Sequence, residues 1–149
     1  MSSITQSTGR GGGFVGRYGP SIAVIFVALI VFHLPIIGLI NLLPLFKEIL
    51  LGAVVVGLLT SLSEPKAGIK HALVAGMIAA IAFNALYIPF QFLMGGVWGA
   101  TSGAESAAGA AAVGSLLSGF GALFNLVGVA IFSPIGYIIG GGIGSFFNG

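Results

Sequence analysis

Polar and charged positions fall into a few short clusters, and the runs between them are almost wholly apolar. The first cluster is residues 1–20, MSSITQSTGRGGGFVGRYGP, rich in Ser, Thr and Gly and carrying Arg10 and Arg17. Such a stretch buries too little apolar area to offset its ordering entropy, which predicts a flexible, basic, Gly-rich tail. An apolar run follows over 21–45 and contains His33, Pro35, Asn41 and Pro44. A helical span needs about 20 residues, so this run predicts a first membrane span, kinked at Pro35 and ended by Pro44. It is longer than the apolar region of a secretory signal and shows no clear small-x-small cleavage site, so a retained helix is expected.

A second apolar element covers 48–62. It reaches only about 22 Å, against a hydrocarbon core of about 30 Å. It must thin the bilayer, borrow flanking residues or lie partly inside a bundle. Only Phe46, Lys47 and their neighbours separate it from the first span, which predicts a tight helical hairpin. Lys47 and Glu48 are expected there as an interfacial charge pair or as two solvated ends. The polar loop SLSEPKAGIKH then carries Glu64, Lys66, Lys70 and His71. A third span is expected over 72–94, and its end holds Tyr87, Pro89 and Gln91. Residues 95–112, GGVWGATSGAESAAGAAA, read as a second loop, with Trp98 as an interfacial anchor and Glu105 in solvent. The last apolar run, 113–147, would reach about 52 Å as one straight helix. Ser133-Pro134 divides it, which predicts one tilted helix broken near Pro134 rather than a span followed by a separate half-helix.

Composition turns these runs into a membrane argument. Of 149 residues, 57% are hydrophobic and 5% charged, and the mean hydropathy is +1.16. So few charges cannot cover the surface of a soluble globule of this size. The fold class expected is all-α: a polytopic transmembrane bundle of about four spans, forming a single domain over 21–149. With four spans, Arg10, Arg17, Lys66 and Lys70 share one side and Lys47 stands on the other. The positive-inside rule then predicts a multi-pass protein of the cell membrane with both termini cytoplasmic.

Small residues recur every four positions, on one helix face. Gly136, Gly140 and Gly144 form one ladder, Ala72, Gly76 and Ala80 a second, and Gly114, Ser118 and Ala122 a third. In lipid there is little hydrophobic drive between helices, so such glycine-zipper faces are candidates for close helix packing, within the chain or between subunits.

Chemistry is sparse. There is no cysteine and no aspartate, which removes disulfides, thiolate metal sites and a Ser-His-Asp set. The three glutamates are dispersed, and none is expected at mid-membrane, which disfavours a carboxylate proton relay. The candidate polar residues inside spans are His33, Asn84 and Asn125. Amides there serve as interhelical glue or line a polar path. His33 could act as a haem or metal ligand only with a second ligand, and His71 belongs to the opposite end, so neither a cofactor nor a metal is expected. The tail spells Gly11-x-Gly13-x-x-Gly16, but no strand precedes it, and two arginines are too few for nucleic-acid binding.

The segment ILLGAVVVGLLTSLSEPKAGIKHALVAGMIAAIAF sets Gly52 and Gly57 in a short helix, then a polar turn with Gly68 and a helix opening with Ala72 and Gly76. Together with the glycine-rich ending SPIGYIIGGGIGSFF, it resembles a group of small archaeal four-helix integral membrane proteins of unknown function. The resemblance covers about 45–147 and implies a four-helix membrane fold. It brings no activity and no functional residue. The long tail and the 95–112 segment depart from that group's compactness.

These features point to a non-enzymatic membrane protein: a structural or accessory subunit whose partners are the bilayer and either itself or other membrane subunits. A small homo-oligomeric channel or transporter using His33, Asn84 and Asn125 is the alternative, and an envelope or vesicle membrane protein a third.

Overall fold

The protein is described from a computed structural model that covers residues 13–33, 45–103 and 105–149. Most of the expected tail, together with Pro35, Asn41 and Pro44, lies outside the described residues. Four helices account for the rest: α1 Phe14–Phe32, α2 Phe46–Leu59, α3 Pro65–Ala100 and α4 Ala107–Phe146. No strand occurs among the described residues.

Local chemistry explains several helix ends. Pro65 sits in the first turn of α3, where its fixed φ suits a helix and its missing N–H costs nothing. Ser106 caps α4 by accepting a hydrogen bond from the Gly109 amide at 3.2 Å. Leu45 precedes α2 with φ of 70°, a left-handed conformation that turns the chain sharply into the helix.

Several boundaries differ from those read in the sequence. Helix α2 is Phe46–Leu59 rather than 48–62, and α3 starts at Pro65 rather than 72, so Lys66, Lys70 and His71 of the expected polar loop lie in its first turns. Helix α1 starts at Phe14, inside the expected tail, because Tyr18 is buried against the bundle and stacks on His71 at 4.9 Å. Helix α3 continues through 95–100, and α4 begins at Ala107, so the second loop shrinks to 101–106. The glycines there do not break the helices, because Gly95 and Gly99 lie against Gly114 and Ala110 of α4, where a side chain would not fit. Helix α4 runs on through Pro134, where the sequence predicted a break.

Helices α3 and α4 form a long antiparallel hairpin with the most extensive contact in the molecule. Helix α2 lies along the C-terminal half of α4 and points the same way: Glu48 meets Gly136, Gly52 meets Gly140, and Gly57 meets Gly144. Helix α1 runs parallel to α3, pairing Tyr18 with His71, Phe26 with Phe83 and His33 with Tyr87. The core between them is built from Ile25, Val55, Val56, Ala72, Ala75 and Tyr137.

Helices α1, α3 and α4 are long and apolar enough to cross a membrane. Helix α2, at 14 residues, would reach about 21 Å and is too short to do so alone. Large apolar side chains point outward along the whole α3–α4 hairpin, among them Leu86, Leu93, Leu117 and Phe124. In water such continuous apolar exposure would be a liability; it is the surface a membrane protein presents to lipid.

Candidate functional site

The polar centre of the bundle forms where the first turn of α2 meets the middle of α3 and α4. Gly136 makes room for it: a Cβ there would collide with the Cβ of Glu48. The Glu48 side chain therefore enters the interior, with 5% of its surface exposed. Ser133, one turn before Gly136 on α4, donates to Glu48 Oε1 at 3.1 Å. Lys47 Nζ stands 3.8 Å from the same oxygen. Glu48 Oε2 is buried and has no hydrogen-bond partner.

Asn84 comes to the same region from α3. Its Nδ2 donates to the Ala80 carbonyl at 2.8 Å, while its Oδ1 is buried without a partner. Glu48 and Asn84 line a cavity of about 10 Å³ together with His33, Lys47, Asn125, Ser133 and Tyr137. That volume is close to what one water requires. Two unpartnered acceptor oxygens on one such cavity call for a hydrogen-bond donor between them.

Lys47 and Glu48 do pair, as one of the two expectations from the sequence had it, but they are not solvated: their side chains are 14% and 6% exposed. Helix α2 starts beside Ser133 and Gly136, well short of either end of the α3–α4 hairpin, so its first turn is inside the bundle.

The polar residues singled out inside spans converge here. His33 ends α1, donates from Nδ1 to the Leu29 carbonyl at 2.7 Å and packs against Phe83 and Tyr87. Asn84 is buried, with 3% of its surface exposed, whereas Asn125 is exposed at the cavity's edge. The packing candidates face neighbouring helices of the same chain. Gly76 lies under the ring of Tyr137, Ala80 is buried, Gly140 meets the α2 backbone at Ile49 and Gly52, and Gly144 meets Ala53 and Val56.

A second polar cluster, Tyr18, Ser21 and His71, joins α1 to the first turns of α3. The Ser21 hydroxyl and His71 Nε2 are 2.8 Å apart, and both residues are buried. His71 Nδ1 has no partner. Tyr18 and Ser21 carried no signal in the sequence, because their role depends on how α1 docks.

Among the described residues, no group of three or more His, Asp or Glu is placed to hold a metal ion. No protein-family model, curated protein or solved structure matches the chain.

Proposed function

We propose that the protein is a non-enzymatic, multi-pass subunit of the cell membrane with a structural or accessory role, held together through small-residue helix faces. One observation carries this reading. Many inward positions of α3 and α4, and Gly52 on α2, are glycines and alanines in close contact with a neighbouring helix, while large apolar side chains point out along the full length of the hairpin. That is the surface of a rigid helical unit that packs against lipid and other transmembrane helices. Arg17, Lys66 and Lys70 belong to the same end of the bundle, where α1 and α3 begin, and the C-terminus lies near Ser63 at that end. By the positive-inside rule this end is cytoplasmic, with both termini there. With Lys47 drawn into the interior, no described Lys or Arg at the opposite end opposes that assignment.

The test is the native mass of the complex released gently from source membranes, with co-migrating chains identified by mass spectrometry. Migration with other defined membrane chains supports the accessory reading. Migration as a lone monomer overturns it. Migration as a discrete homo-oligomer moves the second reading, a small channel or transporter, to the front, and liposome flux then decides. The observation favouring that second reading is that His33, Asn84 and Asn125 border one cavity.

A further inference from the structure

We propose that Glu48 is a proton-exchanging carboxyl of the membrane interior, which takes up a proton on Oε2 from the small cavity it shares with Asn84. The inference holds whether the bundle serves as an accessory subunit or as a channel. It rests on how the two carboxyl oxygens are served. Oε1 accepts from Ser133 at 3.1 Å and faces Lys47 Nζ at 3.8 Å. Oε2 receives nothing, and neither does Asn84 Oδ1. Both oxygens are acceptors, and both side chains are more than nine-tenths buried. They border the same water-sized cavity.

The Lys47 pair compensates the carboxylate incompletely. Its separation is beyond the usual length of a charge-assisted hydrogen bond, about 2.7–2.9 Å. A buried ion pair offsets its desolvation only when its geometry is good and its remaining lone pairs are served. Here one whole oxygen is left over. A proton delivered to Oε2 turns it from an orphan acceptor into a donor, on the cavity that also holds the unserved Asn84 Oδ1. In the step itself a hydronium in the cavity gives its proton to Oε2 and leaves as water. The new O–H donates into the cavity, Ser133 keeps its bond to Oε1, and the site gains one positive charge.

The charged and titratable groups facing Glu48 are His33 from the end of α1, Lys47 from α2 and Tyr137 from α4; α3 contributes the uncharged Asn84. Lys47 also argues against a metal cation, since its ammonium already faces the carboxylate and would repel a second charge in a space of about 10 Å³. Ionisable residues at such depth in apolar helices mark proton and ion sites as a rule.

The test uses the unmodified protein in liposomes. A hydrophobic carbodiimide, which reacts with protonated carboxyls, is applied across the pH range in which helicity is constant, and adducts are mapped by mass spectrometry. The proposal expects an adduct on Glu48 in preference to the exposed Glu64 and Glu105. Above the midpoint its yield should fall about tenfold per pH unit, as for a single titrating proton. Infrared spectra should show a carboxylic-acid carbonyl band that follows the same midpoint and is missing in Glu48→Gln. A Glu48 that stays unlabelled and gives only carboxylate bands throughout would overturn the proposal and leave a fixed ion pair. Protection by sodium chloride but not by choline chloride would overturn it in favour of a cation site. Both decisive readings come from the wild-type chain, so they stand even if Glu48→Gln fails to fold.

Discussion

The ring of Tyr137 fills the space that a side chain at Gly76 would occupy: a Cβ on Gly76 would stand 2.5 Å from the ring carbons Cδ2 and Cε2. Tyr137 is fully buried, at 0% exposure, so the ring has no open space to swing into. Gly76→Ala should therefore destabilise the bundle by about 1–3 kcal/mol, the usual range for overpacking a filled core. Gly128 is the control. It lies on α4 where an added methyl would meet nothing within 4 Å, and Gly128→Ala should stabilise by about 0.5–1 kcal/mol through helix propensity. Unfolding titrations of both variants in detergent micelles read the two signs. Equal effects would mean that the close approach at Gly76 is not a feature of the folded protein.

Ser133 and Glu48 should be energetically coupled. Ser133→Ala removes the one direct hydrogen bond to Glu48 Oε1 among the described contacts and leaves that oxygen facing Lys47 at 3.8 Å. A hydrogen bond to a charged group is worth about 1.5–3 kcal/mol. In a cycle of Ser133→Ala, Glu48→Gln and the double variant, the interaction energy should fall within about 0.5–3 kcal/mol. Additive effects would show that α2 and α4 do not meet through this pair.

The apolar helices were legible because they depend on local pattern. Run lengths marked the apolar helices, and the four-residue spacing of Gly136, Gly140 and Gly144 marks one face of α4, which the structure sets against α2. What was not legible depends on how elements are placed against each other. Glu48 looks like an interfacial residue at a helix start, and only the depth at which α2 docks turns it inward. Phe14 to Pro20 look like tail by composition, yet they are helical because Tyr18 has a place against His71. Gly95 and Gly99 look like loop residues, yet they are contact points that let α3 and α4 run on side by side.

Asn125 should matter much less to the monomer than the buried polar residues near it. It is exposed at the rim of the cavity rather than enclosed by it. Asn125→Leu should change stability by no more than about 0.5 kcal/mol, as for a surface position away from any special feature. If native gel migration changes while micelle stability does not, Asn125 belongs to a contact between chains. A large loss of monomer stability would contradict its exposed position.

Ser21 should control how firmly α1 docks on α3. His71 Nδ1 is already buried without a partner, so Ser21→Ala would leave both ring nitrogens unserved, at a cost of about 1–3 kcal/mol. Helix α1 packs on α3 much less extensively than α4 does, so the loss should appear as local release of α1 before the α3–α4 hairpin opens. The chain has no cysteine, so a single Ile25→Cys substitution gives a clean reporter at a fully buried position of α1. Maleimide labelling of that cysteine should rise about fivefold to a hundredfold when Ser21→Ala is added, in line with the free energy lost. Ser21→Thr keeps the hydroxyl and should restore protection. Unchanged labelling in Ser21→Ala would show that apolar packing alone, through Ile25 and Leu29, holds α1 in place.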